Sequence, residues 1–438
     1  MKNFKYISLV IIVILSLNEV SSQSVLTVQD AITIAIENNY DVQIAKNDTE
    51  KSNIENGVLN SGYLPTVSVS GGVNYANETQ NVTFNDGNTE SVSYAITETY
   101  NASLTAEYTI FDGLERKFNV KKNTENLNLK KLQERQSIEN TIISIYETYY
   151  NVAYQHQIVE NLKLNIDNSM DRLERTKKKL KYGQGTKLDE LNAQVDLNND
   201  SISYASAYKD LKNAKRNLNL ILGRDIRTPF TADTTVSFSA SLKEGDILTQ
   251  AEKNNVSSLL NQQNVLLSDL DIKINKAKYL PKLSGSASYN WNRSNNPPAI
   301  AFALNNEAYG VNLGLSLSWN VFDGGSTKTR IKTSQLDKEN RMIELEKAKE
   351  ELKKQILNDY EDYLNKQFTL RAEQNNVATN KLNFSRTQKQ FSLGQVSAIE
   401  FRQAQINLYN ALNNLAKAEY DLKLAEVNLL QLSGALVN

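Results

Sequence analysis

The chain has 438 residues, with 49 Lys and Arg against 50 Asp and Glu, and it contains no cysteine. The balanced charge excludes the broad basic surface that nucleic-acid binding requires, so no nucleic-acid partner is expected. The absence of cysteine excludes disulfides, thiolate metal sites and a lipid-modified N-terminal cysteine.

The first 22 residues have the organisation of a secretory signal peptide. Lys2 and Lys5 precede an apolar run over 7–17, and small residues follow at 20–22. The run is too short to cross a bilayer as a helix, although an uncleaved N-terminal anchor is the alternative. We predict that residues 1–22 are removed, and no other apolar run in the sequence predicts a transmembrane helix.

Four segments of the sequence alternate apolar and polar residues with a period of two. Each has about 10 residues, the length that a tilted strand needs to cross an outer membrane. Both tryptophans and several tyrosines fall on the apolar faces, as in the aromatic girdles of membrane strands. A soluble sandwich of half-buried strands would alternate in the same way. The predicted strands are about 65–76, 100–111, 282–292 and 309–322.

A long helical stretch follows the second strand. From Ile138 to Leu180, apolar residues recur with a 4-3-4-3 spacing, which is the seam of a coiled coil. A helix over 114–181 would be about 100 Å long at about 1.5 Å per residue. A tight turn then leads to a second helix over 187–222. The later half of the chain predicts the same pair of helices over about 325–392 and 398–433.

The two halves of the chain repeat one another in a single register. Phe111-Asp112-Gly113 recurs 211 residues later as Phe322-Asp323-Gly324. Such an internal repeat fixes the architecture before any single motif does. Each repeat is predicted to contain a short helix, two strands, a long helix and another short helix. We therefore predict one fused structure of two repeats, 23–223 and 242–438, joined by a connector at 224–241.

Four strands cannot close a membrane barrel by themselves. The narrowest known barrels have eight strands, and an open sheet edge in lipid leaves backbone groups unpaired at a cost of several kcal/mol each. The sequence therefore predicts an oligomer, in which two, three or four copies would supply eight, twelve or sixteen strands.

The duplicated motifs resemble those of the TolC-type outer-membrane efflux family over nearly the whole chain after the signal peptide. They comprise a Leu-Pro pair before each first strand, Phe-Asp-Gly at each strand-to-helix junction, and Gly-Gln followed by a hydroxyl, an aliphatic and an acidic residue. The resemblance implies an α+β membrane protein that forms a homotrimer, in which a twelve-stranded β-barrel continues into a long α-helical coiled-coil tunnel in the periplasm. Loops 76–99 and 293–308 would lie at the extracellular end.

The two turns between paired helices are the first candidate functional residues. By the resemblance, they form the periplasmic tip and contact an adaptor protein. The alternative is that the glycines serve only as turn residues, because glycine takes the positive φ of a tight turn. These residues are Gly183, Gln184, Gly394 and Gln395.

Two acidic residues form the second candidate group. Asp189 and Glu400 each lie six residues after the glycine of their turn, where the resemblance places an entrance constriction. Three-fold symmetry would make each a ring of carboxylates, which favours cations at a pore mouth. The alternative is that both are helix-start acids favoured by the helix dipole. Gln403 also belongs to the predicted constriction, but family members often carry another acid there, so this chain departs from a two-layer acidic ring.

The strand-to-helix junctions are assigned a structural role. Asp112 and Asp323 could be interpreted as a catalytic pair, but aspartate caps the start of a helix well, and no concentrated polar constellation suggests catalysis. We therefore predict no enzyme activity, no cofactor and no metal site. The junction residues are Pro65, Asp112, Gly113, Pro281, Asp323 and Gly324.

Together these inferences predict the exit duct of a tripartite efflux or type I secretion system in the outer membrane of a Gram-negative bacterium. The resemblance implies partners: further copies of the chain, a periplasmic adaptor (membrane fusion) protein, an inner-membrane transporter of the RND, ABC or MFS class, and outer-membrane lipid. Conduction would be passive, with the transporter supplying energy. The alternative is a periplasmic or surface coiled-coil adaptor or adhesin without a pore.

Overall fold

The computed structural model of the chain describes residues 25–238, 242–296 and 303–437. The predicted signal peptide, the end of the predicted connector and part of the second predicted outer loop lie outside the described residues. Within the described ranges, no helix combines the length and the apolarity needed to cross a membrane.

Both halves of the chain place their helices and strands in the same order. The first half contains β1 (Val25–Leu26), α1 (Val28–Asn38), α2 (Tyr40–Glu55), β2 (Thr66–Thr83), β3 (Thr89–Phe111), α3 (Glu115–Lys181) and α4 (Lys187–Ile221). The second half contains β4 (Thr231–Ala232), α5 (Glu244–Asn254), α6 (Val256–Ala277), β5 (Lys282–Asn295), β6 (Asn305–Ser318), α7 (Ser326–Ser392) and α8 (Ala398–Ser433).

The chain divides into two compact units, and each unit takes segments from both halves of the sequence. The four-stranded sheet belongs to the second unit, whereas both candidate turns belong to the first. The first unit comprises the described parts of Met1–Asn47, Leu132–Leu259 and Ala348–Asn438. The second comprises those of Asp48–Lys131 and Leu260–Lys347.

The sheet of the second unit is antiparallel with the strand order β2-β3-β5-β6, so strands from the two halves pair at its centre. Leu104 of β3 lies opposite Tyr289 of β5, and Leu283 of β5 lies opposite Leu317 of β6. Because side chains alternate across a sheet, this register collects the apolar residues of neighbouring strands on one face. Strands β2 and β6 are the two edges of the sheet.

The first hairpin is longer than the sequence predicts. The ladder between β2 and β3 continues to the pair Thr83 and Thr89, and a turn at 84–88 closes it. Most of the predicted loop over 76–99 is therefore hydrogen-bonded strand, and the predicted bounds were wrong at this end. Apolar alternation in β2 fades after Tyr75, but the backbone groups continue to pair, because every residue other than proline carries a donor and an acceptor.

Strand β6 ends at Ser318, earlier than the predicted bound of 322. The indole Nε1 of Trp319 donates a hydrogen bond of 3.0 Å to the backbone oxygen of Tyr279. The N–H of Val321 donates to the oxygen of Trp319 at 3.2 Å, which is a local turn. The alternation of apolar and polar residues in the sequence continues through 319–321, but the backbone there has left the ladder.

One hydrophobic core of the first unit forms where α3 packs with α1, α4, α8 and the short strands β1 and β4, and a second forms between α5, α7 and α8. The fully buried Tyr149 hydroxyl donates to the backbone oxygen of Leu26 at 2.7 Å. The neighbouring Tyr150 ring stacks on Tyr420 of α8 at a centroid distance of 5.1 Å. Burial raises the pKa of Tyr149 to about 12, because the charged phenolate is disfavoured away from water.

The buried face of α3 departs from the predicted coiled-coil seam near the end of the helix. The seam is buried at Ile142, Ile145 and Val152, but Met170 is 54% exposed. Leu173 of the seam is buried again, and three polar residues that each precede a seam position are buried beside it: Asn165, Ser169 and Arg172.

Candidate functional site at the two helix–helix turns

Two tight turns join the paired helices of the first unit. Gly183 follows α3 with a φ of 67°, and Gly394 follows α7 with a φ of 73°. At the first turn, the N–H of Gly183 donates to Leu180 at 3.0 Å and that of Gln184 to Lys179 at 2.8 Å. The second turn repeats both bonds at 3.1 and 2.9 Å. This is the Schellman arrangement, whose left-handed residue favours glycine. The side chains of Gln184 and Gln395 are exposed.

Asp189 belongs to a capping box at the start of α4. Its Oδ2 accepts hydrogen bonds from the N–H of Thr186 at 3.1 Å and from the Thr186 hydroxyl at 2.7 Å. The N–H of Asp189 donates back to that hydroxyl at 3.1 Å. The bonds from Thr186, with the charge of Lys179 as a further cause, hold the pKa of the Asp189 carboxyl below its usual value.

Glu400 makes the equivalent contacts at the start of α8. Its Oε2 accepts from the N–H of Ser397 at 2.7 Å and from the Ser397 hydroxyl at 2.8 Å. These bonds lower the pKa of the Glu400 carboxyl. Both acids are therefore exposed, ionised helix caps. The capping hydrogen bonds use one oxygen of each carboxylate. They leave the other oxygen without a capping bond, so each exposed carboxylate can also interact with ions in the solvent.

Gln403 is exposed and does not take part in the capping box of Glu400. Its side-chain nitrogen donates to Oδ1 of Asn407, one turn further along α8, at 2.8 Å. A glutamine at this position carries no charge, so Glu400 is the acidic residue of this part of α8.

Aromatic contacts bring the ends of α3, α7 and α8 together. The ring of Phe391 stacks on Phe401 with a centroid distance of 4.8 Å, and Phe384 lies 5.7 Å from Phe401. Nζ of Lys179 lies 5.7 Å from the centroid of the Phe391 ring, within the range of a cation–π contact. Both turns are thus connected through neighbouring side chains within the first unit.

A buried ion pair close to the turns was missed by sequence reasoning. Asp200 of α4 is 4% exposed, and its two carboxylate oxygens accept from Arg402 of α8 at 2.6 and 2.9 Å. The hydroxyl of Ser169 on α3 donates to the same carboxylate at 2.6 Å. Three helices therefore meet at one carboxylate, and Gln405 extends the network to Asn165.

A comparison of equivalent positions in the two repeats could have indicated this ion pair. A shift of 211 residues aligns Asp200 with Ala411 and Arg402 with Leu191. Asp200 also follows Ala193 and precedes Ala207 at seven-residue spacing, on the buried face of α4. A charged residue at one such position, absent from the other repeat, indicates a specific buried partner.

The predicted junction residues lie in the second unit. The carboxylate of Asp112 accepts from the N–H of Arg116 at 3.1 Å, and that of Asp323 accepts from the N–H of Thr327 at 2.8 Å. A Cβ on Gly113, which has a φ of 69°, would come within 2.4 Å of the Ala277 oxygen. Gly324 also has a positive φ, of 68°. Pro65 and Pro281 immediately precede β2 and β5.

A metal site would require several ligands in one place. In the described ranges, no three His, Cys, Asp or Glu side chains are grouped so as to hold a metal ion.

Comparison with known proteins supports a channel. The sequence model described as outer membrane efflux protein matches residues 31–224 and 247–435. The alkaline protease secretion protein AprF of Pseudomonas aeruginosa is 23% identical over 418 residues, which cover 93% of this chain and 84% of AprF. The outer membrane protein TolC of Vibrio cholerae is 23% identical over 299 residues, covering 67% of this chain and 68% of TolC.

Solved structures show the same fold. The outer membrane channel CmeC of Campylobacter jejuni has a TM-score of 0.77 at 13% identity, covering 94% of this chain and 86% of CmeC. A structure of CusC has a TM-score of 0.73 at 16% identity, covering 96% and 95%. The chain has the fold of the TolC-like channel-tunnels. A protein of this kind is located in the outer membrane of a Gram-negative bacterium. Because the family's sequence model covers both halves of the sequence, the chain belongs to the outer membrane efflux protein family.

Proposed function

We propose that this protein is the passive exit duct of a tripartite efflux or type I secretion system. In this proposal a homotrimer closes a twelve-stranded β-barrel, and its helices form a tunnel in the periplasm. The observation that carries the proposal is the sheet, which has four strands, two edges and one exposed apolar face.

The apolar face of the sheet has the dimensions of a membrane-spanning surface. Tyr309 of β6 and Trp319, which follows the last residue of the strand, are the two ends of an apolar row that would be about 33 Å long in an extended chain. At a tilt of about 40°, this row spans about 25 Å, the height of the apolar band of an outer-membrane barrel. The residues between them are 66–79% exposed: Val311, Leu313, Leu315 and Leu317.

The two edge strands explain why several copies are needed. Within the described residues, β2 pairs only with β3 and β6 only with β5. An edge left open in lipid would leave backbone groups unpaired, so β2 of one copy would pair with β6 of the next. The number three comes from the family resemblance. A coiled-coil adaptor or adhesin without a pore would require neither an exposed apolar face on the sheet nor two unpaired edge strands.

The first unit would supply the periplasmic entrance. We assign the constriction to Asp189, Glu400 and Gln403, because both acids are exposed and ionised beside the turns. A ring of such carboxylates would favour cations. The exposed turns would contact a periplasmic adaptor through Gly183, Gln184, Gly394 and Gln395.

The duct would depend on other proteins for energy. The relatives' names include both secretion, as in AprF, and efflux, as in the outer membrane efflux protein BepC of Brucella suis. The inner-membrane transporter would accordingly be of the RND, ABC or MFS class. Conduction requires no bond chemistry, so no enzymatic step is assigned.

The functional chain would consist of the repeats 23–223 and 242–438 after removal of residues 1–22.

Single-channel conductance of the detergent-purified protein tests this function. The protein is inserted into a planar bilayer, and its mass is measured in the same detergent. We expect a trimer with small openings that favour cations. A water-soluble monomer without channel activity would contradict the proposal and favour the coiled-coil alternative.

A further inference from the structure

The two hairpins of the sheet differ in charge. The first, over 66–111, contains five acidic residues and neither lysine nor arginine. The second, over 282–318, contains two basic residues and one acidic residue. The entrance residues proposed above do not account for this charge, because they belong to the first unit and the hairpins to the second. The acidic residues of the first hairpin are Glu78, Asp86, Glu90, Glu98 and Glu107.

Glu78 and Glu107 lie on the polar face of the sheet. Glu107 of β3 lies opposite Ser286 of β5. Glu78 of β2 lies opposite Ala95 of β3. Both side chains share the face of the serine and asparagine rows, because side chains alternate along a strand. Since the proposed duct turns the apolar face of the sheet to lipid, this polar face would line the lumen.

A β-bulge brings Glu90 to the same polar face. In the ladder between β2 and β3, Ser93 and Tyr94 together lie opposite Thr79, and Tyr94 has a φ of 60°. The extra residue of a bulge changes the direction of the side chains that follow it. Glu90 consequently lies opposite Val82 on the polar face, whereas regular alternation along β3 would place it on the apolar face.

The polar face has little positive charge to offset these three acidic residues. All three are exposed, and their carboxylates form no hydrogen bond or ion pair with the described residues. Arg293 lies in the apolar-face row of β5, opposite Tyr100. Lys282, at the start of β5, is the basic residue of the polar face in the described sheet. It lies about 50 Å from the level of Glu78 along the strands, which is several Debye lengths in physiological salt.

The lumen of the proposed barrel would be narrow enough for these charges to act across it. Twelve strands about 4.8 Å apart and tilted by about 40° form a barrel with a backbone radius of about 12 Å. The Debye length is about 10 Å in 0.1 M salt, so a charge on the wall is only partly screened at the axis. Pairing between copies would use the backbone groups of the edge strands, so it would leave these side chains on the lumen face.

We propose that Glu78, Glu90 and Glu107 make the β-barrel a second cation-selecting region of the duct, separate from the constriction at the periplasmic entrance. Glu107 would lie in the barrel wall. Glu78 and Glu90 would lie at the extracellular mouth, because the ladder of β2 and β3 continues past the last pair of β3 with β5. Acidic side chains around a pore raise the local concentration of cations and lower that of anions. The inference rests on the proposed function, because it requires the polar face to line a pore.

The ion selectivity of the full-length, detergent-purified protein in planar bilayers tests the proposal. The variant E78Q/E90Q/E107Q removes the three charges, and reversal potentials in a potassium chloride gradient give the ratio of potassium to chloride permeability. We expect this ratio to fall about threefold near 0.1 M salt and to change little near 1 M, where the Debye length is about 3 Å. The same fall should occur when Glu400→Gln is also present, because the two regions would act separately.

Two control variants separate charge from structure. E78D/E90D/E107D keeps the three charges and should keep the selectivity of the wild type. E98Q removes an acidic residue from the opposite face of β3, where the Tyr100 hydroxyl donates to the Glu98 carboxylate at 3.2 Å. Glutamine can also accept this bond, so E98Q should fold normally and leave the permeability ratio unchanged.

The absence of cysteine from the chain permits a second measurement. In Glu90→Cys, the introduced thiol is the single target for a methanethiosulfonate reagent added to a conducting channel. An anionic reagent should restore the cation preference of the wild type. A cationic reagent should shift the preference toward anions.

Several results would overturn the proposal. Wild-type selectivity of E78Q/E90Q/E107Q near 0.1 M salt would exclude a role for these charges, and an equal fall in E98Q would make the effect one of general surface charge. A fall that persists near 1 M salt would indicate a structural change instead of an electrostatic effect. A trimeric channel whose selectivity ignores these substitutions refutes only this inference, whereas absence of a trimeric channel refutes the proposed function.

Discussion

At the scale of single residues, Asp189 and Glu400 combine a structural contact with the role that we propose for them at the entrance. Each carboxylate accepts two hydrogen bonds from the residue that caps its helix, through a single oxygen. The same bonds keep the carboxylate ionised, because they favour its charged form. The local structure that forms the turn therefore also maintains a negative charge beside it.

Glu400→Gln separates the two roles. Glutamine can still accept from the N–H of Ser397 in a capping box, but it carries no charge. We expect α8 to remain folded, while cation selectivity and block by divalent cations decrease in single-channel recordings. Glu400→Ala, which removes both the cap and the charge, is the control for helix stability. Unchanged selectivity in Glu400→Gln would show that Glu400 does not line the constriction.

The buried pair of Asp200 and Arg402 makes a second prediction. Asp200→Ala leaves the guanidinium without its partner, and we expect a loss of about 3 kcal/mol of stability, measured as a lower thermal midpoint of the helical circular-dichroism signal. The double variant D200A/R402L places at both positions the residues found in the other repeat. It should recover most of the loss, because two apolar side chains leave no buried charge unpaired. A double variant less stable than D200A would contradict this account.

At the scale of elements, the turns depend on backbone conformation rather than on space. A Cβ built on Gly183 or Gly394 would meet no atom within 4 Å, but both residues have a positive φ. We expect Gly183→Ala and Gly394→Ala each to cost about 1 kcal/mol, measured by thermal unfolding.

Gly245 in α5 is the matched control for the turn glycines. A Cβ there would also meet nothing within 4 Å, and Gly245 is not among the positive-φ residues. Gly245→Ala should therefore be neutral or stabilising by up to about 1 kcal/mol. If all three substitutions had the same effect, the conformation of the turns would not be the reason for their glycines.

The helices, strands and turns also show which structural features can be predicted from the sequence and which cannot. Periodicity and the repeat predicted that long helices, tight glycine turns and four alternating strands would follow one another, because these features depend on local spacing. The extension of β2 to Thr83 could not be predicted, because the backbone alone makes that part of the ladder. The contact of Asp200 with Arg402 depends on how three helices meet, which local spacing does not encode.

At the scale of the whole molecule, the proposed function depends on which face of the sheet would meet lipid. The apolar row of β6 is exposed in the single chain, and its alternate residues are mostly serine, asparagine and glycine. A soluble protein would bury such a row in its own core. A membrane channel instead leaves it outside and turns the polar row toward the lumen.

Two neighbouring residues of β6 test this orientation. Leu315 is 76% exposed on the apolar row, and Ser316 lies next to it on the opposite face. Arginine at the middle of the lipid face costs about 2–4 kcal/mol, whereas a lumen position tolerates charge. We expect Leu315→Arg to reduce the yield of folded oligomer in outer-membrane fractions, measured by electrophoresis without heating. Ser316→Arg should assemble normally and shift conductance toward anions. The reverse pattern would place the polar face of the sheet in lipid.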